Sequence, residues 1–136
     1  MIVLPRFLLD TNICIYVIRE RPARVRDAFA AAAGRMALSS ITLAELQHGV
    51  ERSSDPARNQ RVIDDFCSRL AVIDYGARAA IHYGAIRASL ERAGRPIGVN
   101  DLHIAAHARS EGLVLVTNNR REFDRIEGLQ VENWAD

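Results

Sequence analysis

What most constrains this chain is its rhythm: short apolar runs recur along it, separated by segments too long and too rich in alanine or arginine to be strands. Phe7-Leu8-Leu9, Met36-Ala37-Leu38, Ala71-Val72-Ile73 and Leu113-Val114-Leu115-Val116 read as strands, with residues 129–134 as an optional fifth at an edge. The spacing predicts helices over 11–19, 22–33, 41–52, 56–70, 77–93 and 101–111. Pro22 and Pro56 suit a first helical turn, where a missing N–H costs nothing, and Gly34, Gly94 and Gly112 suit left-handed C-terminal caps. A strand followed by a helix pair, three times over, implies parallel strands joined by right-handed crossovers, an α/β sandwich around a small twisted sheet. The 136 residues read as one domain, 1–136, large enough to fold without disulfide or structural metal.

Composition then removes whole chemistries. The 18 basic residues are all arginine, against 17 acids. Without lysine there is no P-loop, Schiff-base or Ser-Lys enzyme. A net charge of +1 argues against a strongly basic nucleic-acid binder. Cys14 and Cys67 lie far apart within apolar-periodic segments and fit buried small hydrophobes, and no CxxC or Cys/His spacing suggests zinc. No apolar run approaches the ~18 residues of a membrane helix. Arg6 and Asp10 interrupt the first apolar stretch, which lacks a signal peptide's basic lead. The expected setting is cytoplasmic and reducing, with no membrane.

The acids carry the functional signal. Asp10, Glu45, Asp101 and the segment from Thr117 to Glu122 each fall just after a strand or at an early helical turn. Each has an ordinary explanation: Asp10 or Asn12, and Asn100 or Asp101, as helix caps, and Thr42 with Glu45 as a capping box. Taken together they are harder to dismiss, because in a parallel α/β sheet the carboxyl ends of the strands share one ligand-binding edge. Several carboxylates there repel one another unless something positive joins them. No lysine exists and no arginine adjoins Asp10, Glu45 or Asp101 in sequence, so a hard divalent cation is the natural counter-charge. Such a site suits a metal-dependent phosphodiesterase or nuclease. Two other acidic-site folds fit poorly: a haloacid-dehalogenase-type phosphatase needs Asp-x-Asp where this chain has Asp10-Thr11-Asn12, and a receiver domain needs a lysine.

LLDTN at 8–12, TLAEL at 42–46, PIGVNDLHIAAHA at 96–108, VTNNRREFDRI at 116–126 and ENW at 132–134 together resemble the PIN-domain toxins of the VapC type. The resemblance spans essentially the whole chain, motif by motif in order. It implies a PIN-like three-layer sandwich and an endoribonuclease needing Mg²⁺ or Mn²⁺. It also implies a homodimer and a VapB-like, DNA-binding antitoxin that blocks the active crevice. By the same carry-over Asp10 and Asp101 are metal ligands, Glu45 completes the acidic pocket and Thr117 is a polar support. The rivals are a non-cleaving PIN-like module that binds metal or RNA, and a DNA-directed nuclease with the same site.

Many PIN domains carry Thr-x-Asp where this chain has Thr117-Asn118-Asn119. The fourth acid is then either Glu122 or absent, which leaves one or two metal ions open. If residues 120–125 form a helical turn, Asn119 and Glu122 face the same side, Glu122 as fourth carboxylate and Asn119 as a neutral hydrogen-bonding group. The ordinary reading pairs Glu122 with Arg121 or Arg125 on the surface, worth under ~1 kcal/mol. Arg120 and Arg121, with Arg125, flank this edge and suit phosphate clamps on the RNA. Arg19, Arg21, Arg24 and Arg26 read as a solvated face. His103 and His107 lie roughly 200° and 240° around their helix from Asp101 and belong to packing or surface. His48 follows Glu45 by one turn and reads first as a helix-surface histidine, with a general-base role at the pocket as the alternative, and Trp134 reads as a packing anchor. The apolar residues of 41–50 and 62–70 are expected to serve the dimer and a groove for the antitoxin.

Overall fold

The computed structural model describes residues 4–135. Twelve elements follow in the expected alternation: β1 (Phe7–Leu9), α1 (Thr11–Ile18), α2 (Ala23–Ala31), β2 (Met36–Ser39), α3 (Ser40–Glu51), α4 (Pro56–Cys67), β3 (Ala71–Ile73), α5 (Ala77–Arg92), α6 (Val99–Glu111), β4 (Val114–Val116), α7 (Arg120–Phe123) and β5 (Val131–Glu132). All strands are parallel, in the order β3-β2-β1-β4-β5. Among the described residues no helix is long and apolar enough to cross a membrane.

Strand alternation divides the core into two layers. Leu9, Leu38 and Val116 point to one face, where Ile13, Val25, Phe29, Leu46, Ile63 and Phe66 from α1–α4 cover them. Leu8, Ala37 and Leu115 point to the other, under Ile86, Leu90, Leu102 and Ile104 of α5 and α6 and Phe123 of α7. Each fully buried leucine stabilises the fold by about 1.5–3 kcal/mol. Trp134 packs edge-on against Phe7 at 5.5 Å, the anchor role its position suggests. Cys14 is buried and Cys67 half-buried, both as free thiols.

Local caps depart from the sequence reading in three places. Ser39, not Thr42 with Glu45, caps α3, its Oγ accepting from the Ile41 amide at 3.1 Å, so the capping box does not form. Helix α6 begins at Val99 after Gly98, so neither Asn100 nor Asp101 caps it and Asp101 sits within the first turn. Pro22 stands at the N-cap of α2 rather than inside it, whereas Pro56 opens α4 as expected. Gly112 ends α6 with φ 66°, the left-handed cap a side chain would strain.

Chain order places the site. From β1 the chain winds outward through β2 and β3, then returns across β1 to β4. The direction of winding therefore reverses between β1 and β4, and in such sheets the crevice beyond the strand ends at that reversal is where ligands bind. The residues that follow these two strands are Asp10 and Thr117.

Candidate active site

Asp10 does two jobs at once. Its Oδ1 accepts from the Ile13 amide at 2.9 Å and caps α1, so the ordinary reading is correct. Its carboxyl is also only 4% exposed and lies at the head of the crevice. Burial pushes its pKa up to about 6, with the neighbouring Asp101 and Glu45 adding to the rise, while hydrogen bonds from Thr117 and Ile13 oppose it. Thr117 is fully buried; besides binding Asp10, its Oγ1 accepts from the Asn119 amide at 2.9 Å and so shapes the turn after β4.

The other acids arrive from three different elements. Glu45 comes from α3, and its Oε1 accepts from the Thr11 hydroxyl at 2.9 Å. Asp101 comes from the first turn of α6, its pKa raised by burial and then by the charges of Glu122 and Glu45. Glu122 lies in the first turn of α7, after Asn119 at the N-cap position. The four carboxylates thus feel one another across the crevice. No ion pair among the described residues joins any of them to an arginine. Arg120 donates to Asp124 at 3.1 Å and Arg125 to the Pro96 carbonyl at 3.4 Å, so the surface pairing of Glu122 with Arg125 does not form. Arg121 is exposed beside them.

Among the described residues, no three acidic, histidine or cysteine side chains are gathered closely enough to hold a metal ion as they stand. The donor set nevertheless suits one: hard oxygens, partly desolvated, mutually repelling and uncompensated.

Beside the acids opens a groove of about 530 Å³ between α1, α3 and α4. Thr11, Glu45 and Asn100 stand on its walls with the apolar Ile15, Ile18, Leu46 and Val62, and Arg19 and Arg52 add charge. His48 also borders it, exposed and one turn from Glu45. Arg19 therefore faces a groove rather than only solvent. Leu46, Val50 and Ile63 are core residues whose edges also line the groove, and Phe66 is buried, so α3 and α4 present this groove rather than a broad exposed apolar face. Thr11 escaped the sequence reading because its partner is 34 residues away. The same holds for Asn118, whose Nδ2 donates to the Tyr16 hydroxyl at 2.8 Å.

The PIN-domain family model matches residues 7–129. The chain belongs to the PIN-domain family. It is 55% identical over 130 residues to ribonuclease VapC2 of Haemophilus influenzae, covering 96% of this chain and 98% of that one. The tRNA(fMet)-specific endonuclease VapC of Shigella flexneri is equally similar, at 55% identity over 96% of this chain and 98% of its own. Among solved structures, the DNA-bound VapBC of Salmonella typhimurium superposes with a TM-score of 0.91 at 52% identity, over 96% of this chain and 98% of that chain. Within the family, this PIN domain falls among the VapC-type ribonuclease toxins.

Proposed function

We propose that the chain is a divalent-metal-dependent endoribonuclease, the toxin of a toxin–antitoxin pair acting in the cytoplasm. The observation that carries the metal is the buried Asp10 carboxyl, its pKa raised to about 6 by burial and by Asp101 and Glu45, with no ion pair to any of the three among the described residues. Asp10 and Asp101 would hold Mg²⁺ or Mn²⁺, with Glu45 and Glu122 completing the pocket. When bound, such an ion polarises a phosphodiester and supplies hydroxide near neutral pH. The protein's own part is positioning. Thr117 and the Ile13 amide fix Asp10, Thr11 fixes Glu45, and the turn through Asn119 sets where α7 presents Glu122. Arg120 and Arg121 flank that turn and contribute to binding the RNA phosphates.

The relatives from Shigella flexneri and Salmonella typhimurium are named for tRNA(fMet), and we take an initiator tRNA as this chain's substrate too. Similar chains crystallise with VapB antitoxins on DNA. We place a VapB-like antitoxin segment in the groove between α1, α3 and α4, where apolar walls hold it and its end covers Glu45. The toxin is taken to act as a homodimer.

The test is cleavage of purified initiator tRNA, elongator tRNA and single-stranded DNA with Mg²⁺, Mn²⁺ or EDTA, with ends mapped. The expected result is one dominant cut in initiator tRNA, lost in EDTA and in Asp101→Asn. Equal cutting of DNA, or full activity in EDTA, would overturn the reading.

A further inference from the structure

A second unresolved cluster lies where α5, the end of α6 and the residues after α7 meet, and its sign is reversed. Arg109 of α6 and Arg125, just past α7, both line a cavity of about 80 Å³ floored by Ile86, Leu90 and Ile126, with Ser89 at its side. At roughly 30 Å³ per water, that volume takes two or three waters, or one phosphate group. Neither arginine has an ion pair among the described residues. Glu127 also lines the cavity, but it offers its main-chain carbonyl to Arg109 Nη1 at 3.0 Å. Arg109 Nε donates to His82 Nδ1 at 2.9 Å, which leaves Nη2 unspent. Arg125 makes a single 3.4 Å bond to the Pro96 carbonyl, and its Nε is buried without an acceptor. Two guanidinium groups with unspent donors on one phosphate-sized cavity lack an anion, as the four acids lack a cation.

The cavity is tied to the acidic crevice through two short routes. Arg125 follows Glu122 by three residues. Pro96, its hydrogen-bond partner, lies two residues before Gly98, where even an added Cβ would stand 3.8 Å from Asp101 Oδ2. A strand whose phosphate is held in the acidic crevice through the proposed metal can therefore continue over the Pro96–Gly98 loop toward Arg125.

Resting on the ribonuclease reading above, we propose that the Arg109–Arg125–Ser89 cavity is a phosphate-binding subsite for the RNA backbone, outside the cleavage site. Its contacts are to phosphate and not to bases, so it sets where the strand runs rather than which sequence is cut.

The test is equilibrium binding of a single-stranded RNA oligomer to the full chain in EDTA, across salt concentrations. Arg109→Gln and Arg125→Gln should each weaken binding about tenfold and lower the salt slope by about 0.7, the loss of one phosphate contact. Both arginines also brace loops, so Ser89→Asp supplies a variant that removes no existing contact. Its carboxylate should occupy the guanidinium groups, raise the melting temperature and still weaken RNA binding. Wild-type binding with unchanged slopes in all three variants would overturn the subsite and leave the ribonuclease reading standing. Tight inorganic phosphate binding with unchanged RNA slopes would make this a free-anion site and likewise overturn it. No RNA binding by the wild type at any salt, either in EDTA or with Ca²⁺ in place of Mg²⁺, would overturn both.

Discussion

Helix α6 carries titratable side chains on two sides, and the two surroundings treat them differently. On one side Asp101 is pushed up by burial and by the charges of Glu122 and Glu45, with no cation beside it. On the other, burial pushes His103 and His107 down, yet each ring has a partner. His103 Nδ1 meets the Tyr75 hydroxyl at 2.8 Å while its ring stacks on Tyr83 at 4.2 Å, and His107 Nδ1 meets Ser39 Oγ at 2.7 Å. A neutral imidazole can donate and accept, so each buried ring finds a partner for one nitrogen without carrying charge, though His107 Nε2 stays buried without a partner in hydrogen-bond geometry. The acids share one sign and nothing resolves them. Residue type alone would have favoured the histidine pair as the site; unresolved charge is the ground for proposing the other side.

The strongest way to break that contrast is Asp10→Asn. Asparagine caps a helix as well as aspartate, so the bond to the Ile13 amide survives. Cleavage should fall about a thousandfold or more, the several kcal/mol a catalytic metal supplies. The metal-free variant should also be more stable at pH 7. Asp10 titrates at about 6 when folded against 3.8 ordinarily, so its ionisation opposes folding, by on the order of 3 kcal/mol at most. Urea unfolding with and without Mn²⁺ checks both halves. Manganese should stabilise the wild type, by about 2.7 kcal/mol at a hundred times Kd, and leave the variant unmoved. A wild type indifferent to manganese would remove the metal site.

Glu122→Gln tests how far the acidic side extends. Its charge reaches Asp101, and among the described residues no ion pair joins it to an arginine, Arg120 binding Asp124 and Arg125 the Pro96 carbonyl. Cleavage should fall about 10- to 100-fold at low Mg²⁺, the range for outer support of a metal site, and recover partly at high Mg²⁺ or with Mn²⁺. Unchanged kinetics at every metal concentration would reduce the site to Asp10, Glu45 and Asp101.

How much of this was legible follows the range of the interactions. The strands and helices came from local periodicity, and β1, β3 and the start of α1 fall where the pattern puts them. The placement of Asp10 just after a strand was legible from the local pattern, and so was that of Asp101 near a helix start, two residues inside the first turn rather than at its opening. The capping box at Thr42 was misread because a better cap, Ser39, lay three residues upstream and a motif match does not register competition. Thr11 on Glu45, Tyr16 on Asn118 and Arg109 beside Arg125 depend on which segments meet in space, and spacing along the chain carries no trace of that. The helical angle from Asp101 did place the histidines away from the acids, but it could not say that Tyr75, Tyr83 and Ser39 would meet them.

The smallest expected effect lies on the histidine side. His103→Phe keeps a ring to stack on Tyr83 and loses the bond to Tyr75, so it should cost about 0.5–1.5 kcal/mol and leave cleavage untouched. The pH dependence of stability sharpens the contrast further. For the histidines the folded pKa is lowered from 6.5, so their contribution is present above 6.5 and is lost as pH falls through the folded value. For Asp10 the folded pKa is raised, so stability is regained as pH falls from about 6 toward 3.8. In the metal-free wild type the two slopes oppose each other over that window. In Asp10→Asn only the raised Asp101 still opposes the histidine slope, so stability should fall more steeply on acidification than in the wild type, and the variant's advantage should vanish near pH 4. Adding His103→Phe to Asp10→Asn should flatten that fall in part, His107 carrying the rest. Parallel pH profiles for the wild type and Asp10→Asn would mean that Asp10 is not held against ionisation, and the two sides of α6 would no longer differ in the way the fold implies.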